Sequence, residues 1–206
     1  MYHLVNDEIV NEQIVNEQIV NDMIYIFCAP SGSGKSTMVK HLLSKHPDLF
    51  ELSVSCTTRQ PRGEEVHGRE YYFVTVDEFR RRIANDEFVE FEQVYDGLYY
   101  GTLKQEIERI EAAGRQVLFD VDVKGGINLK RILGDRATSI FICPPSIEEL
   151  RRRLEQRGDT SPEMIEKRLA KADKEMAYRP QFDRIVVNDD LHHAFAQLDA
   201  IIDEAK

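Results

Sequence analysis

From residue 23 onward, short, nearly unbroken apolar runs alternate with longer stretches in which apolar positions recur every three or four residues. The runs predict strands at 24–28 (IYIFC), 52–56, 116–121, 138–142 and 184–188. The periodic stretches predict helices at 35–45, 103–112, 126–133, 146–156, 162–177 and 191–204, since that spacing forms one apolar stripe on a helix. Gly114 closes the second helix, and Thr160-Ser161-Pro162-Glu163 opens the fifth with a hydroxyl cap, a proline in the first turn and an acid for the dipole. Strands that are apolar on both faces, alternating with helices, predict an α/β fold with a parallel sheet covered on both sides.

Two regions break the rhythm. Residues 6–22, NDEIVNEQIVNEQIVND, repeat every five residues, a period that produces neither a helical stripe nor strand alternation. They read as a low-complexity extension, with residues 1–22 preceding a domain that Met23 opens. Residues 53–102 are rich in Tyr, Phe, Val and Thr in short alternating stretches, which predicts a small mixed sheet inserted into the α/β core.

Composition narrows the class. The chain has 206 residues, 42% hydrophobic and 31% charged, which suits one ordinary soluble core. No apolar run approaches a bilayer span, and no tripartite export signal opens the chain, so no membrane partner is expected. The formal net charge of −10 argues against nucleic-acid binding by bulk electrostatics. Cys28, Cys56 and Cys143 are few and far apart, a pattern of reduced structural thiols in a cytoplasm. Nothing in the pattern fixes an oligomeric state.

The strongest chemical signal is Ala29-Pro30-Ser31-Gly32-Ser33-Gly34-Lys35-Ser36, between an apolar strand and a helix. Glycines let backbone N–H groups converge on phosphate oxygens, and the helix N-terminus adds a favourable dipole. Lys35 is suited to the β- and γ-phosphates, and the Ser36 hydroxyl to Mg²⁺. Ala29 stands where the strict pattern has glycine, which is tolerable if its φ is negative. A GTPase would show an N-K-x-D guanine reader, which is missing, although Asp122-Val123-Lys124-Gly125 mimics its D-x-x-G. A motor ATPase would be larger. A small-molecule kinase needs a second anion site for its acceptor.

SVSCTTRQPRGEEVHGREYYF, residues 53–73, offers one. Arg59 and Arg62 lie three apart across a proline, and extended geometry returns a three-residue step to the same side. Two such guanidiniums suit a phosphate, or form a solvated loop paired with Glu64 and Glu65. In the tyrosine pairs 71–72 and 99–100, alternation lets only one member of each face a ligand. Cross-strand packing is the alternative for all four. Asp120 and Asp122 share one side of a strand near its carboxyl end, where open α/β sheets bind ligands. The arginines of 151–168 include Arg153 and Arg157, four apart on one helix face, with Glu148 and Glu149 as available partners for Arg152 and Arg153.

These segments, with YYGT, LFDVDVKGG, FICPPS, LRRRLEQRG and IVVNDD in the same order, resemble the guanylate kinases from Met23 to Lys206. The resemblance implies a P-loop NTPase-type five-stranded parallel sheet formed by residues 23–52, 103–145 and 180–206. It also implies a GMP-binding insertion at 53–102 and a helical lid at 146–179. By that likeness the segment from Ala29 to Thr37, including Pro30, Ser31, Gly32, Ser33, Gly34, Lys35 and Ser36, holds ATP, with Arg153 and Asn188. Arg59, Arg62, Tyr71 and Tyr100 hold the GMP phosphate, and Ser55, Glu90, Thr102 and Asp122 surround the base. Asp120 lies near the transferred group and Mg²⁺, reaching the ion through water, and Lys35, Arg157 and Arg168 act in catalysis. Thr102 stands where serine is usual, Lys124 where glutamine is common, and one extra residue falls within Val94–Tyr99.

Residue chemistry agrees with that likeness. Guanine presents N1–H and N2–H₂ donors along one edge, and ionised carboxylates such as Glu90 and Asp122 only accept. No general base is expected, because a phosphate monoester with a second pKa of about 6 is mostly ionised at neutral pH; His67 reads as structural. The expected reaction is transfer of the γ-phosphoryl group of ATP to GMP or dGMP, giving ADP and GDP in purine metabolism. A ribose-phosphate kinase on this scaffold would have little use for Glu90 and Asp122. A non-catalytic binding module would have lost Lys35, Ser36, Arg157 or Arg168.

Overall fold

The structure is a computed structural model that describes residues 23–157 and 161–204. The five-residue repeat lies outside the described residues, as does the side chain of Arg157.

Five strands form the central sheet: β1 (Ile24–Cys28), β2 (Phe50–Leu52), β7 (Gln116–Asp120), β8 (Ala137–Cys143) and β9 (Arg184–Val187). Their order is β2-β7-β1-β8-β9 and every pairing is parallel. The central strand β1 is buried at all five positions. Its side chains alternate between two cores, and this is why its sequence shows no polar alternation. Tyr25 and Phe27 pack with Met38, Leu42 and Leu198, from helices α1 (Lys35–Lys45) and α7 (Leu191–Asp203). Ile24, Ile26 and Cys28 pack with Ile107, Ile110 and Leu129, from α3 (Lys104–Ala112) and α4 (Val123–Leu133). Gly126 of α4 is a contact point, since a Cβ there would lie 2.1 Å from the Cys28 sulfur. All three cysteines are free and buried, and burial pushes the Cys28 and Cys56 thiols up to about 12 and about 11.

The single strand expected at 52–56 instead spans the end of β2, an irregular crossing at 53–55 and the start of a strand in a different sheet. The Ser53 N–H donates to Leu118 O at 2.9 Å, the last bond to the central sheet. The chain then crosses to β3 (Cys56–Thr57). There it joins β4 (Tyr72–Phe73), β5 (Phe88–Tyr95) and β6 (Leu98–Leu103) in the order β4-β3-β6-β5. This second sheet is mixed, with β3–β4 parallel and the other pairs antiparallel.

Between β4 and β5 lies a helix that the strand-rich reading of 53–102 did not include, α2 (Val76–Ala84). Thr75 caps it by accepting from the Glu78 N–H at 3.1 Å, and Phe79 stacks on Phe88 at 4.4 Å and on Tyr99 at 5.2 Å. Glu106 ties the two sheets together. It accepts from the Val54 N–H at 3.1 Å, the Tyr72 hydroxyl at 2.9 Å and Arg109 at 2.8 Å. Two further helices, α5 (Ile147–Arg157) and α6 (Pro162–Met176), pack on each other through Leu150, Leu154, Ile165 and Leu169. Ser161 caps α6.

Candidate active site

The loop leaving β1 turns through two left-handed glycines, Gly32 and Gly34, both with φ of 94°. Ala29 is not in that region, and Asp86 is the one non-glycine among the described residues that is. Gly34 is further restricted: a Cβ would lie 2.4 Å from the Asn188 amide nitrogen. That amide, buried just after β9, donates to Ser33 O at 2.8 Å and so props the loop from beneath. Lys35 pairs with Asp120 at 2.7 Å and also donates to Val121 O. The hydroxyl-bearing Ser36 and Thr37 are exposed. Ala29 to Ser31, Gly32, Gly34 to Thr37 and Asp120 line a cavity of about 500 Å³.

A second cavity of about 350 Å³ lies between the two sheets, lined by Ser55, Tyr71, Glu90, Tyr100, Asp120 and Asp122, with Glu92 and Val94. Strand alternation splits each tyrosine pair. Tyr71 and Tyr100 face this cavity, their rings 6.0 Å apart. Tyr72 reaches Glu106, and Tyr99 is buried against Phe79. Thr102 is buried behind the cavity, and its hydroxyl donates to Glu90 at 2.9 Å. Burial, helped by the Asp122 charge, raises the Glu90 carboxyl above its ordinary pKa, while the Thr102 bond opposes the shift. Asp122 caps α4, accepting from the Gly125 N–H at 2.7 Å.

The two arginines of the acceptor loop do not line this cavity. Glu65 grips Arg59 through both carboxylate oxygens, at 2.8 and 2.9 Å, and accepts from the Arg62 N–H at 2.7 Å. The Glu65 bond holds the Arg59 pKa above its ordinary value. The guanidinium sits 5.1 Å over the Tyr71 ring, at the edge of the cavity, and the Arg62 side chain is exposed. Arg59 is thus paired with Glu65, while its side chain is not solvated. His67 lies 3.2 Å from the Phe73 N–H, a structural contact.

On the arginine-rich helix, Arg152 and Arg153 pair within the helix, while Arg151 pairs with Glu166 of α6. Glu149 takes Arg152 at 2.6 Å and Arg153 at 2.8 Å. Arg153 also donates to Asn188 O at 2.8 Å, linking α5 to the strand end. Arg168 is half-buried on α6 and lines neither cavity. Residues three and seven further along, Lys171 and Glu175, do line the phosphate-loop cavity. No local signal in the sequence marks them, whereas alternation from Glu90 could have found Glu92.

A phosphate loop opening a parallel sheet, with a second cavity sharing Tyr71, Asp120, Val121 and Asp122 with the first, defines a P-loop phosphotransferase. The family described as guanylate kinase matches residues 21–205. The guanylate kinase of Bacteroides fragilis is 54% identical over 181 residues, 88% of this chain and 88% of its own. That of Porphyromonas gingivalis is 55% identical over 168 residues, 82% of this chain and 89% of its own. A crystal structure of guanylate kinase from Anaplasma phagocytophilum aligns with a TM-score of 0.66 at 31% identity, covering 88% of this chain and 85% of that one. The chain belongs to the guanylate kinase family, the ATP:GMP phosphotransferases. No helix among the described residues is long and apolar enough to cross a membrane.

Proposed function

We propose that ATP occupies the phosphate-loop cavity and GMP the cavity between the sheets, with the phosphoryl group passing beside Asp120. The observation that carries this reading is the shared wall: Tyr71, Asp120, Val121 and Asp122 border both cavities. Two phosphates entering from opposite sides meet there. Alignment is then most of the catalytic task.

In this reading the backbone from Ala29 to Thr37 and the Lys35 ammonium hold the donor phosphates, and Lys35 neutralises charge on the group in transit. Glu90 and Asp122 accept from the guanine edge, Thr102 aims Glu90, and Ser55 completes the base pocket. Tyr71, Tyr100, Arg59 and Arg62 hold the acceptor phosphate. Arg153, Arg157 and Arg168 serve the donor phosphates, and Asn188 acts beneath the loop and beside the adenine. The acceptor phosphate is ionised at neutral pH and needs no base.

Mg²⁺ suits the donor site. The Ser36 hydroxyl and the Asp120 carboxylate are oxygen donors on one cavity, the ligand type a hard cation that keeps several waters prefers. Ser36 would hold the ion directly and Asp120 through water. When bound, the ion supplies positive charge to the triphosphate.

We assign residues 23–52, 103–145 and 180–206 to a core, 53–102 to a GMP-binding insertion and 146–179 to a lid. Support for the lid comes from the separate apolar cluster joining α5 and α6. Three free, buried cysteines favour a cytoplasmic enzyme of purine nucleotide metabolism. A coupled ADP-production assay across GMP, dGMP, AMP, UMP and dTMP tests the acceptor. Guanine nucleotides should dominate, and comparable turnover of AMP would overturn the reading.

A further inference from the structure

We propose that Glu92 reads the ribose of the acceptor, so that the enzyme prefers GMP to its 2′-deoxy counterpart. The inference rests on the reading of the inter-sheet cavity as the GMP site. Glu90 and Glu92 are two residues apart on β5, and pairing with β6 runs unbroken from Glu90–Thr102 through Phe91–Gly101 to Glu92–Tyr100. Both side chains therefore leave one face of the strand, and both line the cavity.

Their surroundings differ in a way that gives the cavity a direction. Glu90 lies opposite Thr102, whose hydroxyl aims its carboxylate, at the base-reading end with Asp122. Glu92 lies opposite Tyr100, whose ring meets Tyr71 beneath the Arg59 guanidinium, toward the phosphate-holding end. The two-residue step is roughly 6.5–7 Å, so a nucleotide stretched from one end to the other carries its sugar past Glu92.

Of the groups presented there, the phosphate repels a carboxylate, while the ribose hydroxyls donate to it. A carboxylate has two oxygens and can accept from two vicinal hydroxyls at once. Its acceptor capacity is uncommitted: the Glu92 carboxylate makes no hydrogen bond or ion pair with any described residue, and no lysine or arginine lines the cavity. Glu65 and Asp120, by contrast, are both held by cations. Removing the 2′-hydroxyl deletes one charged hydrogen bond, a difference of roughly ten- to a hundredfold.

The test measures kcat/KM for GMP and dGMP in the wild-type chain, Glu92→Ala and Glu92→Gln, with Glu90→Gln in parallel. Wild type should favour GMP by about tenfold or more. Glu92→Ala should bring the two substrates within about threefold of each other, and Glu92→Gln, which keeps one neutral acceptor, should retain a smaller preference than wild type. Any general effect of the lost charge on phosphate binding acts on both substrates and cancels in the ratio. Equal use of both by wild type, or a full preference retained in Glu92→Ala, overturns the assignment. If Glu90→Gln lowers both substrates while the Glu92 ratio stays put, only the ribose reading falls. If Glu90→Gln changes neither, the GMP site itself is wrong and the inference falls with it.

Discussion

Replacing Glu90 by glutamine tests whether a half-buried carboxylate recognises guanine. The change conserves shape and removes one charge. Glu90 is half-buried and already accepts from the Thr102 hydroxyl at 2.9 Å, so its remaining oxygen is the one available to the base. In the variant, the amide oxygen can keep Thr102, which turns the NH₂ toward guanine's own donors. Alternatively, the amide flips and strands the Thr102 hydroxyl. Loss of a charged hydrogen bond together with an unmatched buried donor costs about 2–4 kcal/mol, roughly thirty- to a thousandfold in kcat/KM for GMP.

Stability should move the other way. Burial raises the Glu90 pKa, and a carboxyl raised in the folded state contributes stability below its unfolded pKa and loses it as pH rises through the folded value. At pH 7 the ionised group is therefore a cost to folding, and Glu90→Gln should keep or raise Tm. The assay pairs steady-state kinetics across acceptors with thermal melts at pH 7. Arg59→Ala provides the contrast, weakening every nucleoside monophosphate alike because it would hold phosphate and not base. Unchanged GMP kinetics in Glu90→Gln would refute guanine recognition by this residue. A large fall in Tm would refute the claim that its charge serves function at the expense of the fold.

Lys35→Ala should lower turnover at least about a hundredfold with Tm within a few degrees, and near-normal kcat in that folded variant would exclude its transition-state role. Gly126→Ala forces a methyl into the Cys28 sulfur, 2.1 Å away, and should cost about 1–3 kcal/mol. Thermal melts of the Cys28→Ala, Gly126→Ala cycle should show most of that loss recovered in the double variant. Glu106→Gln should cost about 2–3 kcal/mol, or roughly 4–12 °C in Tm, because the amide can no longer satisfy Val54, Tyr72 and Arg109 together. Burial would raise the Glu106 carboxyl, but the Arg109, Val54 and Tyr72 bonds outweigh it and hold its pKa below the ordinary value. Its stabilisation is thus present at neutral pH and fades as pH falls through the carboxylate range, so acid melts of the variant should show a smaller pH dependence than wild type.

The central sheet was legible because its signals are local. IYIFC is apolar on both faces since β1 is buried on both, and the glycine loop and first helix follow from spacing alone, with Lys35–Lys45 beginning and ending where expected. The insertion was harder. Residues 52–56 look like one strand, and only the distant Leu118 carbonyl and the pairing partners of Cys56 reveal that the chain changes sheets there. The helix at Val76–Ala84 carries a good cap in Thr75 and acids in its first turn, yet the aromatic and β-branched residues around it made the whole region read as strand. In the site, periodicity showed that only one tyrosine of each pair could face inward, and it was the family resemblance, not spacing, that named Tyr71 and Tyr100, the two that line the cavity. It could not decide whether Arg59 meets a phosphate or Glu65, because that depends on a loop closing across six residues. Lys171 and Glu175 escaped notice because their link to the phosphate loop is tertiary, between α6 and a loop more than 130 residues earlier in the chain.

The pairing of the site's cations bears on how an acidic chain binds two polyphosphates. With a net charge of −10, the protein cannot rely on a broad positive field. Instead, three of the cations assigned to the site already hold carboxylates: Lys35 with Asp120, Arg59 with Glu65, Arg153 with Glu149. Such pairing orders long side chains before substrate arrives, reducing an entropy loss of up to about 2 kcal/mol for each. It also means that a phosphate must exchange with a carboxylate and not merely approach a free charge. Under the proposed reading a doubly charged phosphate would succeed in that exchange, since it offers more charge and more acceptor oxygens than the carboxylate it displaces. A neutral nucleoside would not. Under the proposed reading, the exchange at Lys35 also frees Asp120 at the wall where the two cavities meet, so the carboxylate becomes available only when the donor phosphates are in position. In that reading, selection for a phosphorylated acceptor lies in the pair that guards Arg59, and selection for guanine lies separately, in Glu90 and Asp122.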